Sequence, residues 1–85
     1  MSHNKIMISV IVNGQPVEVA ANLEAPLTSV VEHALKQSGN SGQPLENWEL
    51  RDAAGQVLDL ARKVEDYGFT NGTKLFLNLK AGVGG

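Results

Sequence analysis

The chain opens with a stretch in which apolar side chains recur at every second position. Residues 5–12, K-I-M-I-S-V-I-V, place β-branched side chains on one face, while Met7, Ser9 and Ile11 fall on the other. An alternation of period two is typical of a β-strand with one face in the core. The pattern therefore predicts a first strand over these eight residues.

A turn signal follows this strand immediately. Asn13 and Gly14 both tolerate the positive φ that a two-residue type I′ turn requires. The stretch Q-P-V-E-V-A should then return as a second strand. The turn fixes the register of the inward face, which pairs Val10 with Val17 and Ile8 with Val19. Since Pro16 cannot donate to a ladder, we expect the second strand to lie at a sheet edge there.

The next apolar residues recur at helical spacing. Pro26 suits the first turn of a helix, where its missing N–H is not needed. Ser29 and Glu32 also fit a capping box, so the helix could begin one turn later. Gly39 should end it in the left-handed conformation. The residues predicted to face the core are Leu27, Val30, Val31, Ala34 and Leu35.

Shorter elements fill the second half of the chain. The alternation of W-E-L-R-D predicts a strand with Trp48 and Leu50 inward. Residues 56–60 are interpreted as a short strand, and residues 60–67 as a single helical turn at most. Phe69 should fill a gap in the core beside these elements.

Strict alternation returns in T-K-L-F-L-N-L, residues 73–79, where every second residue is leucine and Phe76 and Asn78 face outward. The inner face of the first strand is equally apolar, so the first strand is the best neighbour for this last strand in the sheet. A parallel neighbour requires a crossover, which the helix supplies. The predicted fold is α+β: a β-grasp with a mixed sheet of four or five strands and one helix packed across it.

Composition and charge narrow the functional classes. The chain has 85 residues, 42% of them hydrophobic, with no cysteine and a formal net charge of −2. This charge disfavours a nucleic-acid binder, and two distant histidines without cysteine disfavour a metal site. The acidic residues and hydroxyls form no acid–base pair or triad, so we expect no enzyme. The sequence contains no apolar run long enough to cross a bilayer and no signal peptide, which predicts a cytoplasmic monomer without membrane association.

The two ends of the chain are expected to differ in flexibility from the folded part between them. We expect residues 1–4 to be a flexible N-terminus, residues 5–79 to be the folded domain, and residues 80–85 to be a flexible tail. The tail, K-A-G-V-G-G, finishes on Gly84 and Gly85. Glycines at a chain end are common and can be idle, so the tail alone does not assign a function.

The hairpin, single helix, alternating last strand and terminal diglycine resemble ubiquitin across almost the whole chain. The stretches N-S-G-Q-P-L-E-N-W-E-L-R-D-A-A-G and L-F-L-N-L-K-A-G-V-G-G are similar to the bacterial ubiquitin-like proteins encoded beside activating, conjugating and deconjugating enzymes. The tail differs from that of ubiquitin, because Lys80 is its only basic residue and it is about two residues longer.

The resemblance implies a protein modifier that supplies no catalytic side chain. Its partners would be an activating enzyme, a conjugating enzyme, an isopeptidase and target proteins, and it would need no cofactor, since ATP is bound by the activating enzyme. Gly85 would be the point of covalent attachment through an isopeptide bond. The activating enzyme would read the rest of the tail, namely Lys80, Ala81, Gly82, Val83 and Gly84.

The resemblance also implies a partner-docking patch on the outer face of the last strand. Phe76 and Asn78 would contribute to it, with Met7 and Ile11 beside them if the first and last strands are neighbours. Two other functions stay open. The first is a sulfur carrier, which shares the fold, the diglycine and an opening hairpin similar to I-V-N-G-Q-P-V-E-V. The second is a non-covalent interaction module, in which the tail would have no function.

Overall fold

A computed structural model describes residues 4–82, so Met1–His3 and Val83–Gly85 lie outside the described residues. Four strands form one sheet in the order β2-β1-β4-β3, with a single α-helix across it. The elements are β1 (Lys5–Val12), β2 (Gln15–Asn22), α1 (Leu27–Gln37), β3 (Trp48–Arg51) and β4 (Thr73–Leu79), with 3₁₀ turns at Leu45–Asn47 and Val64–Tyr67.

The β1–β2 hairpin forms as predicted. Asn13 and Gly14 have φ of 48° and 88°, the positive values of a type I′ turn. The predicted pairs are confirmed, since Val10 lies opposite Val17 and Ile8 opposite Val19. Because β2 is at the edge of the sheet, Pro16 breaks no ladder with a further strand.

The first and last strands are parallel neighbours at the centre of the sheet. β1 pairs with β4 from Ile8 opposite Thr73 to Val12 opposite Leu77. β3 pairs antiparallel with the other edge of β4. The predicted β-grasp topology is therefore confirmed, with the crossover between the parallel strands made through α1.

The helix begins at Leu27, one residue later than predicted. Pro26 precedes it with an extended backbone (φ −71°, ψ 156°) and occupies the N-cap position, so its placement in the first turn was wrong. The alternative start at Ser29 is also wrong, because the Ser29 hydroxyl donates to the carbonyl of Pro26 (2.9 Å) from inside the helix. Gly39, with φ of 76°, follows the helix end as predicted.

One core lies between α1 and the inner face of the sheet. All five predicted helix residues are buried, and Leu75 and Leu77 of β4 are fully buried opposite them. Leu79 is only partly buried. Burial of a leucine contributes about 2 kcal/mol, so these buried side chains stabilise a chain that has no cysteine for disulfides. The other buried core residues are Ile8, Val10, Val12, Val19, Ala21, Trp48, Leu50, Leu58 and Val64.

The segment between β3 and β4 is less regular than predicted. Residues 56–60 form no strand, and only an isolated bridge joins Val57 to Arg51. Pairing with β3 ends after Leu58, because the Asp59 amide donates to the Tyr67 hydroxyl and the Leu60 carbonyl accepts from Thr28 of α1. The single helical turn is confirmed at Val64–Tyr67.

Phe69 follows this turn and is partly buried against the core, as predicted. Its ring stacks on that of Tyr67, with centroids 5.4 Å apart. The Tyr67 hydroxyl in turn accepts a hydrogen bond from the amide of Asp59 (2.8 Å). These contacts hold the irregular segment against the fold without a fifth strand.

Candidate functional site

The chain leaves the folded body at one fixed point. β4 ends at Leu79, which pairs with Trp48 at the start of β3. The amide of Lys80 then donates to the carbonyl of Asn47 (2.8 Å). Beyond this bond Ala81 and Gly82 are exposed. Among the described residues of the tail, Lys80 is therefore the one that is still hydrogen-bonded to the fold.

The residue that accepts this last bond is itself held in place. Asn47 ends a 3₁₀ turn, where its amide donates to the carbonyl of Pro44 (3.0 Å). Its side-chain Nδ2 donates to Oε1 of Gln43 (3.0 Å). The tail thus departs from a structured part of the surface, at the β3–β4 side of the sheet.

The tail residues divide into two groups. Lys80, Ala81 and Gly82 are exposed in continuation of β4, and Gly82 has φ of 87°, a value that favours glycine. Val83, Gly84 and the predicted attachment residue Gly85 lie outside the described residues.

Two of the predicted docking residues lie side by side on the outer face of the sheet. Ile11 of β1 is directly opposite Phe76 of β4, and both are half-buried. Pro16 of β2 extends the row on one side, and Arg51 of β3 extends it on the other. Asn78 is exposed two residues further along β4, opposite Glu49. The row presents a small apolar surface with an aromatic ring at its centre.

Met7 does not join this row. It lies four residues before Ile11 on β1, and the pair formed by Ser9 and Lys74 separates it from Phe76. Its backbone is tied to the turn before β4, because its N–H donates to Oδ1 of Asn71 (2.8 Å). Its side chain is 42% exposed. The structure therefore places Met7 at the other end of the same face.

Arg51 borders the apolar row and was missed by the sequence analysis. Its Nε and Nη2 both donate to Oε2 of Glu49 (2.9 and 2.7 Å), and its Nη1 donates to the carbonyl of Gly55 (2.7 Å). The alternation of W-E-L-R already placed Glu49 and Arg51 outward, since Trp48 and Leu50 were inward. Arg51, whose guanidinium is held by Glu49 and Gly55, is thus the register partner of Phe76 on the neighbouring strand.

The described residues give no support to a metal site or to a membrane-spanning helix. Within residues 4–82, histidine, aspartate and glutamate form no cluster of three that could hold a metal ion. In the same range, no helix has the length and apolarity needed to span a membrane. The features that the described surface does offer are the exposed residues 80–82 after β4 and the apolar row around Ile11 and Phe76.

Comparison with solved structures defines the fold class as ubiquitin-like β-grasp. A de novo protein designed on the basis of ubiquitin superposes with a TM-score of 0.79, at 20% identity and 99% coverage of both chains. The ubiquitin of Caldiarchaeum subterraneum gives 0.75, at 21% identity over 95% of this chain and 99% of that one. The C-terminal ubiquitin-like domain of human 2′-5′-oligoadenylate synthetase-like protein gives 0.77, at 24% identity over 99% and 93%.

The sequence assigns the chain to a narrower group. It belongs to the family described as "Protein of Unknown function (DUF2604)", which it matches over residues 1–85. It is also 53% identical over 81 residues to the uncharacterized protein y4jI of Sinorhizobium fredii. The match covers 95% of this chain but only 62% of that relative.

Proposed function

We propose that this protein is a ubiquitin-like modifier whose Gly85 carboxylate becomes attached to amines of target proteins. The carboxylate attacks the α-phosphate of ATP on an activating enzyme, which releases pyrophosphate and forms an acyl adenylate. An enzyme thiol then displaces AMP to give a thioester. Transfer to a conjugating enzyme and finally to a target amine forms the isopeptide bond and releases the thiol.

The observation that carries this proposal is the exposure of Ala81 and Gly82 beyond the last backbone hydrogen bond of β4, which Lys80 makes. Five residues follow the bond between Lys80 and Asn47. Fully extended, five residues reach at most about 17 Å. This reach would let Gly85 enter an active site while the folded body stays outside it.

The composition of this segment supports the same role. Between Lys80 and the final carboxylate, the largest side chain is that of Val83. A chain without bulky side chains can enter a narrow tunnel. At Gly84 and Gly85 the absence of Cβ allows a nucleophile to approach the carbonyl closely and permits backbone angles that other residues avoid. Where residues follow Gly85 in the full protein, a protease must first hydrolyse the peptide bond after it.

The outer face of the sheet supports a second part of the proposal. The activating and conjugating enzymes would dock on the row that contains Ile11 and Phe76, because an aromatic anchor beside a fixed Arg51 is typical of an interaction hot spot. The row includes Phe76 of β4, the strand that continues into the tail. Docking there would hold the body while the tail enters the active site.

The deciding experiment is reconstitution with a candidate activating enzyme, ATP and a cell extract. We expect ATP-dependent, reductant-sensitive thioesters with the enzymes and reductant-resistant conjugates on target lysines, identified by mass spectrometry. A variant without Gly84 and Gly85 should fold normally and form neither. The matched control is Gly42→Ala, which alters an exposed loop glycine outside the tail.

The same experiment separates the alternatives. A thiocarboxylate on Gly85 without conjugates would make the protein a sulfur carrier and overturn the modifier role. Full cellular function of the truncated variant would make it a non-covalent interaction module. Either result would leave the fold assignment unchanged.

A further inference from the structure

The sequence contains the dipeptide Asn-Gly twice, at Asn13-Gly14 and at Asn71-Gly72. In this dipeptide the side-chain amide is readily lost, because glycine has no Cβ and its nitrogen can approach Cγ of the asparagine closely. Both pairs form turns, and in both pairs the two residues are exposed. Access to water is therefore similar at the two sites, so the hydrogen bonds around each pair can be compared directly.

The hydrogen bonds of the second pair hold both groups that the reaction needs. Oδ1 of Asn71 accepts from the N–H of Met7 (2.8 Å). The N–H of Gly72 donates to the carbonyl of the same residue, Met7 (2.9 Å). The carboxamide and the attacking nitrogen are thus both fixed on one residue of β1, and both bonds must break before the nitrogen can reach Cγ.

The first pair has no such restraint. Within residues 4–82, neither the carboxamide of Asn13 nor the N–H of Gly14 has a hydrogen-bond partner. The backbone N–H of Asn13 donates to the carbonyl of Leu77 (3.1 Å), which does not involve either reacting group. Rotation at the tip of this exposed hairpin brings the Gly14 nitrogen to Cγ, a local opening that leaves the core closed.

We infer that Asn13 is a site of spontaneous deamidation, whereas the bonds to Met7 protect Asn71 from the same reaction. The nitrogen of Gly14 loses its proton and attacks Cγ of Asn13. A succinimide ring forms as the Cγ–Nδ2 bond breaks and ammonia leaves with that proton. Water then adds to one of the two ring carbonyls and opens the ring, so that no group is oxidised or reduced.

The two directions of ring opening give products that affect the turn differently. Opening at Cγ gives aspartate, which keeps the backbone unchanged and tolerates the φ of 48° found at Asn13. Opening at the main-chain carbonyl gives isoaspartate, in which the main chain runs through Cβ and Cγ. Isoaspartate therefore lengthens the two-residue turn that sets the register of β1 and β2. We expect the isoaspartate product alone to be clearly less stable than the unmodified chain.

Both products place a carboxylate on a turn that is hydrogen-bonded to β4. The bond joins the Asn13 N–H to the carbonyl of Leu77, the residue between Phe76 and Asn78. The modification thus adds a negative charge at the end of the strand that carries the aromatic ring of the apolar row. It requires no activating enzyme and no reaction at Gly85, so its test is independent of the proposed function.

The experiment is incubation of the full chain in ¹⁸O-labelled water at neutral pH, once folded and once in urea, followed by peptide mapping with mass spectrometry. Hydrolysis of the succinimide incorporates oxygen from this water, so the label excludes product that was present beforehand. In the folded protein we expect product at Asn13 and little at Asn71. An isoaspartyl methyltransferase with labelled S-adenosylmethionine would report the isoaspartate fraction.

Unfolding in urea tests the cause of the difference within the same chain. Each net hydrogen bond corresponds to roughly a fivefold factor in an equilibrium, so loss of both Met7 bonds should accelerate reaction at Asn71 by about thirtyfold. The rate at Asn13 should change much less. The two sites should therefore react at similar rates once the fold is lost.

Two variants serve as controls at the hairpin. Asn13→Gln lengthens the side chain and should remove the product at this position while leaving that at Asn71 unchanged. Asn13→Asp supplies the aspartate product in pure form, and its urea midpoint should equal that of the unmodified chain. The isoaspartate product, separated by chromatography, should unfold at a lower urea concentration.

Three outcomes would overturn the inference. Reaction at Asn71 could equal or exceed that at Asn13 in the folded protein, which would show that the bonds to Met7 do not decide the site. The rate at Asn71 could stay the same in urea, which would rule out protection by the fold. Product at Asn13 could form in urea but not in the folded chain, which would mean that the turn itself prevents the attack.

Discussion

Ile11 and Phe76 lie directly opposite each other on the two central parallel strands, although they are 65 positions apart in the sequence. The pair forms the middle of the apolar row on the outer face of the sheet. Because the core lies on the other face, these side chains are available to a partner while contributing little to the core. Function and stability can therefore be tested at separate positions.

Phe76→Ala tests the docking role of the row. We expect binding to the activating enzyme to weaken by about thirtyfold, equivalent to about 2 kcal/mol, because an aromatic anchor at the centre of an interface is lost. Isothermal titration calorimetry would measure the dissociation constant. Met7→Ala is the matched control, since Met7 is an exposed apolar residue on the same face outside the row. Equal losses for the two variants would count against the row as a defined site.

Gly84→Ala tests the steric requirement of the tail. The added methyl group should slow thioester transfer by about tenfold, because glycine permits close approach and backbone angles that alanine does not. Single-turnover transfer to the conjugating enzyme would measure the rate. The stability of the fold should stay unchanged. Gly42→Ala adds the same methyl group outside the tail, and a similar slowing there would contradict the interpretation.

Leu77→Ala tests the centre of the core. Leu77 is fully buried on β4, between Val12 of β1 and Leu50 of β3. We expect the free energy of unfolding to fall by about 3 kcal/mol, because the substitution leaves a cavity. Urea denaturation followed by circular dichroism would measure it. Leu79→Ala, at the partly buried end of the same face, should cost clearly less.

Gly14→Ala tests the type I′ turn. A Cβ at this position would meet nothing within 4 Å, so any cost comes from the backbone, which has φ of 88°. We expect a loss of about 1 kcal/mol in the free energy of unfolding. Gly42, which also has open space but no positive φ, should tolerate alanine within about 0.5 kcal/mol. Equal effects at the two positions would argue against strain at the turn.

The hairpin was predictable because its signals are local. Asn13-Gly14 fixes the turn, and the turn fixes the register of every pair in β1 and β2. The helix was predicted except at its start, where Pro26 fits both the N-cap and the first turn. The strand predicted over residues 56–60 failed because Asp59 and Leu60 make their hydrogen bonds to Tyr67 and Thr28 and not to β3, which the local alternation does not reveal.

The surface was harder to predict than the core. Alternation shows that Met7, Ile11 and Phe76 all face outward, but not which of them are neighbours. That depends on the register between β1 and β4, which are joined by a long crossover and not by a turn.

The central position of β4 has a consequence for biosynthesis. The strand inserts between β1 and β3, both of which leave the ribosome before it. Until residues 73–79 emerge, these two strands have no contact in the sheet and the hydrophobic interior is open to water. A nascent chain would therefore complete its fold only after this last strand is released, so translation stalled before this point would leave an aggregation-prone intermediate for chaperones to hold.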